Sequence, residues 1–137
     1  MTAHKNKTLA TLLGLLLGGV GAHRFYLRGA VDRLGLLHLC TVPMCGLIYG
    51  TQPQADWFFK ILPLLVSYIV GFIETFIIGL SPDAKFDAQY NAASGRENNS
   101  RWPLVLMLVA MMFLAATTTI GTIARLFDLL YTGGAYG

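Results

Sequence analysis

Charge is what this chain has least of. Asp, Glu, Lys and Arg make up 12% of its 137 residues, about half the roughly 25% of a soluble domain. A soluble chain this short has too much surface to cover with so few charges, which excludes an ordinary water-soluble globule. An apolar content of 55% excludes a disordered chain. Cysteine is scarce as well. Cys40 and Cys45 lie in an apolar run, form no disulfide framework and read as small apolar packing. No basic stretch is interleaved with aromatics, and the ten basic against seven acidic side chains sit at the edges of apolar runs, so nucleic acid is not an expected partner. There is no Ser/His/Asp set, no paired carboxylates and no zinc spacing. Hence no catalytic residue is nominated, and neither an enzyme nor a cofactor or metal is expected. His38, Cys40, Met44 and Cys45 are soft ligands of the kind that suit Cu(I), but their spacings do not converge on one helical face.

What the chain does have is four apolar runs, at residues 9–22, 34–50, 61–80 and 103–124, and a mean hydropathy of +0.58. Crossing a bilayer core takes about 20 helical residues. The third and fourth runs qualify, and the second is borderline and contains Pro43. The first has 14 residues: either a tight span with Lys5 and Lys7 snorkelling, or a re-entrant piece. Its outline also fits a secretory signal, with Val20-Gly21-Ala22 as cleavage site, but the apolar runs beyond it favour a mature segment. No run alternates with period two, which disfavours a membrane barrel. The fold class expected is all-α: a polytopic helical membrane protein with three or four apolar segments plus a short interfacial helix. That helix is placed at residues 82–93, with Ser81 as N-cap and Phe86 and Tyr90 on one face. In either topology, basic residues put the loops at 23–33 and 81–102 on one side, expected to be cytoplasmic. With a re-entrant first run the bias is eight cations against two.

Gly14, Gly18 and Ala22 are spaced by four, as are Gly71, Thr75 and Gly79, and Thr117 with Gly121. Such faces admit close helix packing, within one chain or in a homo-oligomer. Glu74 is the one acid inside a long apolar run, about 9 Å from its cytoplasmic end. An intramembrane carboxylate costs roughly 2.5–3.5 kcal/mol on insertion scales, so it needs a partner or a task; Arg24 or Arg28 is expected to supply the partner. His23, Arg24, Phe25, Tyr26 and Leu27 place a cation and two aromatics at the membrane edge, suited to anchoring or to contact with a lipid headgroup or partner protein. Arg125 and Asp128, three apart, are expected to pair.

The stretch from Leu13-Gly14 through Gly18-Gly19-Val20-Gly21-Ala22-His23-Arg24-Phe25-Tyr26-Leu27 resembles the signature of the TM-two domain, bacterial type: a glycine-rich first helix, an HRFYLG-like turn, and a second helix ending near an acid. Val70-Gly71-Phe72-Ile73-Glu74 resembles that ending, and residues 80–91 are similar to the tail that follows it. Arg28 replaces the usual Gly. On this resemblance residues 5–91 form the domain with an insertion around 41–63; composition makes residues 92–102 a flexible link, and the fourth apolar run gives an additional C-terminal transmembrane helix at 103–131. The resemblance implies a membrane module with no enzymatic activity and no cofactor. Two functional expectations follow. One is a non-enzymatic adaptor of the bacterial inner membrane, contacting lipid or a membrane protein through the His23–Leu27 turn. The other is a small transporter or channel subunit, with Glu74 as the ion- or proton-linked group and Thr117, Thr118, Thr119 and Thr122 lining a polar path.

Overall fold

The computed structural model describes residues 3–136. Helix α1 (Lys7–Leu17) passes through a 3-10 turn (Gly18–Val20) into α2 (Ala22–Arg28). Then come α3 (Arg33–Thr51), α4 (Trp57–Leu80), the short α5 (Asp83–Tyr90) and α6 (Trp102–Thr132), with no strand among the described residues. Helices α3, α4 and α6 are long and apolar enough to cross a membrane. With 19, 24 and 31 residues they measure about 29, 36 and 47 Å at ~1.5 Å per residue, against a hydrocarbon core of about 30 Å. Pro43 and Pro63 lie inside α3 and α4 without ending them. Leu37, Ile77, Phe113 and Ile120 point outward and are 64–67% exposed. An apolar outer surface of this kind is a liability in water and the solvated face in lipid. Trp57 and Trp102 mark opposite ends of the bundle, both exposed, as interfacial aromatics do. The chain is a multi-pass helical membrane protein.

Of the two readings of the first run, the fold takes the re-entrant one. Lys7, at the start of α1, donates to the Ser81 carbonyl at the end of α4 and pairs with Asp83 at 2.9 Å. From there α1 runs antiparallel to α4 until the Ser67 hydroxyl meets the Gly19 carbonyl at 2.6 Å. Ser67 lies about 20 Å along α4 from Leu80, so α1 goes partway into the bundle and stops. Gly21, with φ of 76°, reverses the chain; a side chain there would also meet the Gly35 carbonyl at 3.0 Å. Helix α2 then returns, and Asn6 N–H donates to the Tyr26 hydroxyl at 2.8 Å. The N-terminal segment therefore shares a face with the loops at 23–33 and 81–102.

Backbone that leaves helical geometry at membrane depth must find other partners. Helix α4 supplies them: Ser67 donates to Gly19 O, and the Tyr68 hydroxyl to Leu16 O at 3.2 Å. Small residues bring the elements this close. A methyl on Gly71 would lie 2.6 Å from the Gly18 carbonyl oxygen, and one on Gly14 would overlap the Thr75 side chain. Gly79 faces Leu108 and Thr11. The Gly14/Gly18 and Gly71/Thr75/Gly79 faces thus pack on each other within the chain; Ala22 opens α2, and Gly121 looks onto open space.

Four expectations for the third loop are corrected. Helix α5 covers Asp83–Tyr90 rather than 82–93, and Ser81 does not cap it: its hydroxyl donates to Ile78 O at the end of α4, at 2.7 Å. Its apolar face meets protein, since Phe86 is 1% exposed and packs with Ala10 and Leu27. The segment expected to be a flexible link, 92–102, is tied down: Lys7 N–H donates to Asn98 Oδ1 at 2.9 Å, and Ser100 N–H to Asp83 Oδ2 at 2.7 Å.

Candidate functional site

The polar side chains gather where α2, α3 and α4 meet. Glu74, on α4, receives Arg24 in a two-pronged contact: Nε to Oε2 at 2.7 Å and Nη2 to Oε1 at 2.6 Å. This planar fork is the strongest arrangement available to a carboxylate. The third guanidinium nitrogen, Nη1, reaches Asp32 Oδ2 at 3.1 Å. Asp32 is also the N-cap of α3, accepting from Gly35 N–H at 2.8 Å. Burial works against its charge, but the Gly35 N–H and Arg24 outweigh it and hold its carboxyl below the usual range. One arginine on the returning arm of the hairpin thereby joins two spans.

Two histidines complete the cluster. His23 is fully buried, with Nε2 at 3.0 Å from Glu74 Oε2 and Nδ1 without a partner. His38 Nε2 lies 3.3 Å from the same oxygen, and its Nδ1 lies 2.6 Å from Ser67 Oγ. Proton accounting fixes part of this chain. The Gly19 carbonyl has no proton to offer, so Ser67 spends its single proton there and accepts from Nδ1–H of His38. A neutral His38 would then present a bare Nε2 to the Glu74 carboxylate. The 3.3 Å contact is a hydrogen bond only in a state where Nε2 or Glu74 carries a proton.

The residues of the turn are placed inward. His23 and Leu27 are buried, and Arg24, Phe25 and Tyr26 half-buried. The Phe25 ring lies against Gly35, and the Tyr26 ring lies beneath the Lys5 ammonium, 5.0 Å from its centroid. Arg28, one residue beyond the stretch singled out from the sequence, is exposed. Sequence reasoning anticipated the Arg24–Glu74 contact. It missed Asp32, whose position before an apolar run was the available cap signal, and Ser67, which carried none. His38, grouped in the sequence with Cys40 and Cys45, turns to Glu74, whereas Cys40 is exposed and both cysteines are free.

Above the cluster a second ion pair fastens the hairpin's entrance. Asp83 accepts from Lys7 Nζ at 2.9 Å and from the Ser100 hydroxyl at 2.6 Å. Burial opposes its charge, but the Ser100 and Lys7 contacts outweigh that and bring its carboxyl down to about 2. At the opposite end of the bundle Arg125 bridges Asp128 at 2.6 Å, the pair expected from the sequence, and also Asp56 at 3.1 Å.

Fold and site together define the class: a small multi-pass membrane protein with three candidate spans and a re-entrant hairpin locked to them by a guanidinium. Residues 3–51 match the family model of the TM2 domain, so the resemblance carried by the glycine-rich helix and the HRFYL turn holds over this segment. The match takes in α1, α2 and the whole of α3 and ends at residue 51, short of the 5–91 read from the sequence. Residues 41–63, read as an insertion, are the end of α3, the following loop and the first turns of α4. Glu74 therefore lies outside the matched stretch; Arg24 and Asp32 lie within it. No curated protein and no solved structure matches the chain.

Proposed function

We propose that this chain is a non-enzymatic interaction module of the bacterial inner membrane. Its N-terminal segment and the loops at 23–33 and 81–102 face the cytoplasm and contact lipid headgroups or a membrane protein partner. The observation that carries the reading is the two-pronged Arg24–Glu74 contact. It commits the intramembrane acid to holding the hairpin and leaves the rim of that face, Arg28 included, for contact. Eight of the ten Lys and Arg residues lie on that face when the hairpin is re-entrant, the asymmetry of a cytoplasmic side. The test replaces Arg24 by Ala and follows both bundle stability and retention of lipid or partner protein through purification. Loss of both is expected; unchanged values for both would overturn the reading.

A second reading, a proton-linked transporter or channel subunit, is favoured by the convergence of His23 and His38 on Glu74. It predicts flux in liposomes that disappears in Glu74→Gln. Against it, Thr117, Thr118 and Thr122, three of the four threonines expected to line a path, lie beside a separate cavity of about 400 Å³ near Trp57 and Arg125, with Glu74 not among its walls. The Thr117 hydroxyl also returns to its own helix at Phe113 O.

A further inference from the structure

A cavity of about 370 Å³ lies between α2 and α5, above the Glu74 cluster. Its walls include Arg24, Arg28, Lys85 and Gln89, with Ile77 and Phe86 as apolar floor. Arg24 is already committed to Glu74 and Asp32. Arg28 is held only loosely: its nearest carboxylate oxygen, on Asp32, is 3.9 Å away, and its side chain is 47% exposed. Lys85 is exposed on the opposing wall. With Glu74 and the neighbouring Asp32 set against Arg24, Arg28 and Lys85, the cavity and its rim keep one net positive charge. The buried His23, with Nδ1 unpartnered, lines the inner wall.

We propose that this cavity binds the phosphate of an anionic phospholipid headgroup, with Arg28 and Lys85 as its cationic partners. The proposal rests on the interaction-module reading and names what the cytoplasmic face contacts. A guanidinium offers a phosphate two parallel N–H donors, an ammonium meets it as a point charge, and Gln89 adds an amide donor. The source of the phosphate follows from the floor. Ile77 and, one turn deeper on α4, Ile73 are 67% and 56% exposed, so an acyl chain hanging from a headgroup in the cavity lies along an apolar strip. A free phosphate has no use for that strip. The site also sits where α4 ends and headgroups begin.

The test uses the full chain in nanodiscs of phosphatidylcholine with a minor fraction of phosphatidylglycerol, with retained lipid counted by native mass spectrometry. Wild type is expected to retain phosphatidylglycerol in preference to phosphatidylcholine, and Arg28→Gln/Lys85→Gln to weaken that preference roughly thirtyfold, two cations' worth near a membrane surface. Arg96→Gln/Arg101→Gln removes the same charge from the same face away from the cavity and is expected to keep it. Equal loss in both pairs, or no loss in the first, would overturn the cavity as the site while leaving contact with this face standing. Displacement by millimolar glycerol phosphate would overturn the lipid source. Absence of any anionic preference in wild type, with no protein partner retained, would overturn the interaction-module reading along with the site.

Discussion

Arg24 is the residue on which the hairpin depends. Arg24→Ala leaves Glu74, inside α4, with only histidines for partners, and a half-buried carboxylate stripped of its cation costs about 3–5 kcal/mol. Unfolding of the variant in a mixed-micelle titration with SDS should show that loss. The Arg24→Ala/Glu74→Ala pair should recover most of it, because both charges are then gone. Arg24→Lys should recover little, since an ammonium cannot reproduce the fork. Additive effects of the two single changes would contradict the pairing. At the hairpin entrance Asp83 titrates near 2 in the folded chain, against about 3.9 for a free Asp. A depressed carboxyl stabilises the fold at pH values above the unfolded pKa, and the contribution fades as pH falls from about 4 through 2. The unfolding midpoint should therefore drop over that window more steeply in wild type than in Asp83→Asn; superimposable curves would contradict it. The chemistry of the cluster was half legible. An acid alone in an apolar run, with arginines expected at the same membrane face, announces a pair. Ser67 gives no such notice, because a single hydroxyl in a span is as often back-bonded to its own helix.

At the scale of elements, the α1–α2 hairpin stays at membrane depth because α4 answers its open carbonyls. Ser67→Ala removes the donor to Gly19 O and the acceptor of His38 Nδ1–H, both buried. The expected cost is about 1–3 kcal/mol for the groups left without partners, measured by the same SDS titration; Ser67→Thr should retain most of the stability. Gly71→Ala should cost a similar ~1–3 kcal/mol by overpacking against the Gly18 carbonyl, whereas Gly121→Ala, facing open space, should cost little. Equal effects at the two glycines would contradict the packing described. Run lengths predicted three of these helices well: residues 34–50, 61–80 and 103–124 became Arg33–Thr51, Trp57–Leu80 and Trp102–Thr132. The first run could not be settled by length, because 14 apolar residues suit a tight span and a re-entrant arm alike. The decision lay in tertiary partners, the Gly18–Gly71 approach and Lys7 at the end of α4. The third loop misled for a related reason. Ser81-Pro82-Asp83 reads as a helix start, but the preceding helix also needs its last carbonyls satisfied, and Ser81 serves that end.

For the whole molecule, the re-entrant hairpin fixes a topology: three candidate spans with the N-terminal segment on the same side as the loops at 23–33 and 81–102. It also gathers eight cations on that face, which is what makes headgroup contact the reading the molecule supports best. Both consequences fail together if α1 crosses the membrane. The most direct test is cysteine accessibility in sealed, oriented vesicles, after Cys40 and Cys45, both free, are replaced by Ala. Single cysteines would be placed at His4, Ala30, Gln54 and Ala135. A membrane-impermeant maleimide should reach positions 4 and 30 from one side, and positions 54 and 135 only from the other. Labelling of position 4 from the same side as position 54 would show α1 spanning the bilayer and would contradict the account.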